Sequence, residues 1–333
     1  MKSKTMKKLA PLAVIATLLS TTALAQEATV NKPEFAISGT SEFYYKDVDS
    51  QIASQKGDSM GNTDNEIKFT FSNKTDSGLD YGIVVEMTTV ADSNATIDES
   101  SIYISGAAGK LILGGNDAVT DNFGIGEQDI MDEEVTGTYT NASIQVDAGE
   151  KSYASDSDKV SYITPSFGGF QAGVSYYDSG ATGTTDSTSY GASFTHNNIK
   201  IGYTNGAQEV SGAVDNESQN IGAKISFGAV TLIGAMSTVK GADEDIETVG
   251  GGASYAINDT TTIAVSTMES EDALDVSGTE KENLKQNMVE IKHVIAPGLT
   301  GYVNYTDYEY KNGGEASTDD DGSVLQFKIA ASF

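Results

Sequence analysis

The sequence predicts an all-β fold, a transmembrane 16-stranded antiparallel up-and-down β-barrel, on three observations. Apolar and polar residues alternate with a period of two from about residue 34 to residue 333. The links between the alternating segments are by turns tight and long. After residue 25 no apolar run is long enough for a helical span, which needs roughly 20 residues. In lipid such a sheet must close on itself, because an open edge leaves backbone groups with neither water nor a partner.

The first residues are basic, with Lys2, Lys4, Lys7 and Lys8 ahead of a short apolar run from Leu9 to Leu19 and the small residues of Ala23-Leu24-Ala25. This pattern predicts a signal peptide over 1–25, cleaved after Ala25, and a barrel over 26–333. Strands are expected near 34–45, 63–73, 79–90, 97–105, 109–115, 159–164, 169–178, 187–195, 198–205, 218–227, 229–239, 247–257, 260–269, 286–295, 299–310 and 323–333. The first shows the scheme, with Phe35, Ile37, Gly39, Ser41 and Phe43 on one face and Ser38, Thr40 and Glu42 on the other. In the last, Leu325, Phe327, Ile329, Ala331 and Phe333 oppose Gln326, Lys328, Ala330 and Ser332.

Links such as Asn73–Gly78, Thr164–Gly169, Asn258-Asp259 and Pro297-Gly298 are tight; those at 46–62, 116–158, 206–217, 270–285 and 311–322 are long and rich in Asp, Glu, Ser, Thr and Gly. Tight turns at one end and long loops at the other are the arrangement of an outer-membrane barrel. Aromatics toward the strand ends, among them Tyr45, Phe170, Tyr176, Tyr203, Tyr255 and Phe333, suit the headgroup level.

Composition excludes other classes. Of 20 basic residues, all Lys, four precede Ala25 while all 48 acids follow it, so the exported chain carries 16 − 48 = −32. That charge argues against nucleic acid, and the absence of Cys rules out disulfides and thiolate chemistry. His196 and His293 have no Ser nucleophile motif or second His at ligand spacing, so no catalytic residues are assigned and no enzyme is expected.

Val160-Ser-Tyr-Ile-Thr-Pro-Ser-Phe-Gly-Gly-Phe-Gln-Ala-Gly-Val-Ser-Tyr176 resembles a hairpin of the general bacterial porin family, and Leu111-Ile-Leu-Gly-Gly-Asn-Asp117 is similar to the strand leading into that family's third loop. The resemblance implies a passive diffusion channel in the outer membrane of a Gram-negative bacterium. It implies a homotrimer, contact with outer-membrane lipid and lipopolysaccharide, and recognition of Phe333 by the barrel-assembly machinery. It also implies that the segment 116–158 folds inward as a constriction loop. The family's Arg after the fifth strand's Leu-Gly is here Gly115, and the usual Arg ladder is absent.

The acids Asp117, Asp121, Glu127, Asp129, Asp132, Glu133 and Glu134 precede the first Lys of that segment, Lys151, and predict a cation-selective eyelet. By alternation, Glu42, Lys68, Asp80, Glu86, Lys110, Lys200, Lys224, Glu290, Lys292 and Lys328 face the lumen, with Lys68 and Lys328 placed to substitute for the missing Arg wall. Asp243, Glu244, Asp245, Asp319, Asp320 and Asp321 form carboxylate clusters that read first as solvated charge runs and secondly as candidate Ca²⁺ or Mg²⁺ ligands; no other cofactor is implied. A substrate-specific channel and a barrel-anchored adhesin are the alternative functions.

Overall fold

A computed structural model describes residues 32–88, 96–131, 144, 147–180, 185–210, 214–242, 244–273, 281–311 and 319–333. The expected signal peptide over 1–25, Asp132, Glu133, Glu134 and Asp243 lie outside the described residues.

The strands are β1 (Glu34–Ser50), β2 (Gly57–Lys74), β3 (Asp80–Thr88), β4 (Thr96–Gly106), β5 (Gly109–Gly115), β6 (Asp158–Ile163), β7 (Phe170–Tyr177) and β8 (Asp186–His196). They continue as β9 (Ile199–Glu209), β10 (Asn216–Phe227), β11 (Val230–Lys240), β12 (Asp245–Asn258), β13 (Thr261–Asp272), β14 (Glu282–Ala296), β15 (Leu299–Lys311) and β16 (Asp320–Ser332). A short helix, α1 (Val119–Phe123), follows β5. Each strand pairs antiparallel with its sequence neighbour, and β16 returns to β1, closing a 16-stranded barrel.

The seam pairs Phe43 with Ile329 and Tyr45 with Phe327. It is finished by the Phe333 N–H donating to the Gly39 carbonyl at 3.1 Å and the Gly39 N–H donating to the Phe333 carbonyl at 3.2 Å. Closure leaves neither strand an open edge, the requirement lipid imposes.

Burial is inverted relative to a water-soluble sandwich. Ile37, Phe43, Phe71, Ile201, Ile221 and Phe327 are exposed on the outer surface, while Ser161, Ser175, Thr204, Asn220, Gln286 and Thr306 are buried within. Apolar residues outward and polar residues inward are what a bilayer around a wet lumen selects. Among the described residues no helix is long and apolar enough to cross a membrane.

Two expected long links are shorter than the sequence implies. β1 runs to Ser50 and β2 begins at Gly57, leaving 51–56 in place of 46–62; β13 extends to Asp272 and β14 begins at Glu282. Beyond the hydrocarbon the outer face meets water while the inner face of these segments is buried, so apolar-outward alternation ends while the hydrogen-bond ladder continues. One more feature was not expected. Val48, Met268, Leu284, Tyr308, Tyr310 and Val324, with Ile144, form a buried apolar cluster on the inner wall of β13–β16 and β1.

Candidate functional site: the loop inside the barrel

The chain leaves β5 and turns onto the inner wall of β6 and β7. Asn116 donates from Nδ2 to Ser161 Oγ at 3.2 Å, and the Ser161 and Ser175 hydroxyls are 2.8 Å apart. The N-cap of α1 is Ala118, which offers no side-chain cap. Ser175 supplies what Ala118 lacks: its Oγ accepts from the Val119 N–H at 3.0 Å. A strand hydroxyl thus satisfies one of the orphan N–H groups of the helix start.

Beyond α1, small residues on the wall decide the path. A Cβ added at Gly191 would overlap the Phe123 ring, at Gly202 the Phe123 carbonyl, and at Gly222 the Ile125 backbone and side chain. Gly173 on β7 likewise lies under Phe123 and Val119, and Gly252 on β12 under Ile130. Glycines at inward positions of β7 to β10 and of β12 therefore form a track into which the loop sinks. Phe123 and Ile125 are about 1% exposed there.

Polar ties complete the docking. Asn220 accepts from the Ile125 N–H at 3.1 Å and donates back to the Ile125 carbonyl at 3.0 Å, with a further bond to the Ala148 carbonyl at 2.7 Å. Lys224 donates to the Asp129 carbonyl at 2.8 Å. On the returning limb, Ser218 Oγ donates to the Lys151 carbonyl at 2.8 Å, and the Lys151 amine pairs with Glu244 at 3.1 Å. The two limbs are joined by the Thr120 and Ser152 hydroxyls, 2.6 Å apart, and by Ser155 Oγ donating to Asp117 Oδ1 at 3.2 Å.

The predicted loop acids divide into two kinds. Asp117, Asp121 and Asp129 are exposed. Glu127 is fully buried, packed against Gly250 of β12, with its Oε2 accepting from the Ala148 N–H at 2.7 Å. Burial raises the Glu127 carboxyl to about 7 against the pull of that hydrogen bond. Glu150, which lies against Gly124, is also raised to about 7 by burial, helped by Asp121, Asp129 and Asp147.

The residues expected inward are placed as follows. Lys68 faces its cross-strand partner Glu86 and ion-pairs with it, and Lys328 pairs with Glu42 at 2.6 Å. Both lysines expected to replace the Arg wall are thus matched by carboxylates. Asp80 pairs with Lys74 at 3.2 Å, and Lys110 stands 5.2 Å from the Tyr103 ring centre. Lys200 and Lys224 are cross-strand partners, while Glu290 is buried and Lys292 half-buried.

The structure sets the expected Glu86 and Asp117 beside four acids not singled out in the sequence, Glu66, Asp98, Glu99 and Asp156. Glu66, Glu86 and Asp98 bring carboxylate oxygens within 4.8 Å of one another, as do Glu99, Asp117 and Asp156. Beside the second group lies Lys159, 5% exposed, subject to the charges of Asp156, Asp117, Glu99 and Asp121. Lys159 sits at the start of β6, where its position next to a loop end hid its inward direction.

The cation candidates in the outer loops hold protein groups. Glu244 is tied to Lys151, and Asp245 pairs with Lys240 at 3.4 Å. Asp320 accepts from Ser50 Oγ at 2.8 Å, the Gln51 N–H at 2.9 Å and Tyr308 at 2.8 Å; Asp321 lies 3.6 Å from Lys311, and Asp319 directly precedes β16.

A family model described as Gram-negative porin matches residues 12–313. No curated protein matches the chain in sequence. Among solved structures, an anion-selective porin from Comamonas acidovorans superposes with a TM-score of 0.71 at 18% identity, covering 91% of this chain and 100% of that one. OmpT of Vibrio cholerae in its trimer form superposes with a TM-score of 0.69 at 9% identity, covering 91% and 100%. A mutant of Rh. blastica porin gives 0.65 at 16% identity, covering 90% and 100%. With the family model matched over most of its length and a closed 16-stranded barrel, the chain belongs to the Gram-negative porins, β-barrel channels of the outer membrane.

Proposed function

We propose that the mature protein, freed of residues 1–25, is a water-filled passive diffusion channel for small hydrophilic solutes and ions, selective for cations and assembled as a homotrimer. The observation that carries the reading is the docked loop, which is pinned to the inner wall by Ser175, Asn220 and Lys224 and presents exposed Asp117, Asp121 and Asp129. A barrel of this strand number is otherwise wide, so a loop lying inside it sets the narrowest cross-section. Carboxylates there raise the local cation concentration and repel anions.

The Comamonas acidovorans protein is an anion-selective porin. Selectivity here is argued from this chain's own charges: no Arg, and lysines Lys68 and Lys328 paired with Glu86 and Glu42. A homotrimer accords with the trimer form of the similar Vibrio cholerae barrel and with the broad apolar outer surface. The channel reading is tested by reconstituting purified protein into liposomes and planar bilayers. Stepwise conductance increments and swelling in small sugars are expected. A folded barrel that gives neither, yet binds a surface partner, would instead be an anchored adhesin.

A further inference from the structure

Among the described residues, three lumen lysines outside any ion pair, Lys110, Lys200 and Lys224, stand at the turn end of the barrel, while Lys46 and Lys159, also inward, lie toward the long loops. Lys110 follows the turn between β4 and β5 directly, and Lys200 stands at the second residue of β9. Its cross-strand partner Lys224 is three residues from the end of β10. Lys110 lies over the Tyr103 ring and borders a cavity of 380 Å³ with Asn122, Phe123 and Gln171. The charges of Lys200 and Lys224 act on the Asp129 carboxylate.

The acids are gathered higher. Glu86 is six residues from the turn end of β3, Glu66 eight from that of β2 and Glu99 seven from that of β4. Together with Asp98, Asp117 and Asp156 they form two groups of three carboxylates, against the amines of Lys68 and Lys159. A separation of about five residues along strands rising about 3.3 Å each, at a tilt of about 40°, is about 12 Å along the axis. This exceeds the Debye length of about 10 Å at 0.1 M salt, so the two fields do not cancel.

We propose that the pore is bipolar along its axis: an acidic station of Glu66, Glu86, Asp98, Glu99, Asp117 and Asp156 toward the long loops, and nearer the turns a basic station of Lys110, Lys200 and Lys224 that selects small anions and makes the channel rectify ionic current. This rests on the channel reading and adds a second selectivity element to it. When the long-loop side is positive, cations enter through the acidic station and anions through the basic one, and both accumulate between them. With the opposite polarity each ion meets the station of its own sign first, and the lumen is depleted. Current is therefore larger with the long-loop side positive.

The test is single-channel recording in symmetric KCl at about 0.1 M and again at about 1 M, where the Debye length falls to about 3 Å. The chain has no Cys, so Ser166→Cys in the turn between β6 and β7, labelled from one side with a bulky maleimide, reports orientation. Roughly twofold larger current with the long-loop side positive is expected at low salt, disappearing at high salt. The combined Lys110→Gln and Lys200→Gln variant, which keeps the Lys224 tie to the loop, should lose most of the rectification at low salt, with unchanged conductance at high salt as the check on folding. Symmetric or oppositely directed current in the unmodified pore, or rectification undiminished by the double substitution, would overturn the proposal while leaving the channel itself standing. A folded barrel with no conductance would remove both readings.

Discussion

Asn220 holds Ile125 as one strand residue holds another: its side-chain amide accepts from the Ile125 N–H at 3.1 Å and donates to the Ile125 carbonyl at 3.0 Å. One wall side chain thus completes the backbone pairing of a loop residue that has no strand beside it. The same amide reaches the Ala148 carbonyl at 2.7 Å, so both limbs of the loop depend on it. Asn220→Ala should weaken docking by about 2–3 kcal/mol, since three buried backbone groups lose their partner. Single-channel records should show added open-channel noise with the barrel intact on unheated gels; quiet records would mean that the glycine track alone holds the loop.

The track has its own test. At Gly250 an added Cβ would stand 2.6 Å from Glu127 Cγ, and at Gly222 it would overlap Ile125. Gly222→Val should lift the loop from the wall and change conductance, whereas Gly234→Ala, with nothing nearer than 3.9 Å, should leave it unchanged. Equal effects of the two would show that loss of glycine, and not the close approach, matters.

The docked loop should respond to pH through Glu127 and Glu150, both raised to about 7 by burial. An acid whose folded value lies above its free value binds its proton more tightly when docked. Its contribution to docking is therefore fully present below about 4.5 and is lost as pH rises to about 7, beyond which the curve is flat. Channel noise should grow between about pH 5 and about pH 7. Glu127→Gln should remove much of that dependence; an unchanged pH profile would assign it to other groups.

Deleting Phe333 removes its reciprocal bonds with Gly39 and the ring that lies 3.3 Å from the Gly39 Cβ position. The expected result is a lower yield of assembled barrel at equal synthesis, measured by heat-modifiable mobility. Undiminished assembly would show that the ladder from Thr40–Ser332 onward closes the seam unaided.

The strands were legible because lipid on one side and water on the other impose a period of two. That signal failed where its cause ends: at Asp47 to Ser50 and Glu282 to Lys285 the outer face meets water and the inner face, with Val48 and Leu284, is buried, so the alternation changes sense while the ladder runs on. Lumen directions for Lys68, Lys200 and Lys328 followed from alternation, but their neutralisation did not. Lys68 meets Glu86 and Lys328 meets Glu42 through pairing that only barrel closure at the correct register creates. Glu127 reads as one more loop acid, and its burial depends on Gly250, far along the chain on β12. Inward glycines on consecutive strands, Gly173, Gly191, Gly202 and Gly222, were the available clue to where the loop lies.

Cation selectivity set by the exposed loop acids is read most directly from the zero-current potential across a KCl gradient. Opposite charges about 4 Å apart in water attract by about 1 kcal/mol, so a few converging carboxylates should favour K⁺ over Cl⁻ about fivefold at low salt. A cation-selective potential is expected, moving toward zero when Asp117, Asp121 and Asp129 are together replaced by Asn. An anion-selective potential in the unmodified pore would refute this and would give the lumen to its lysines.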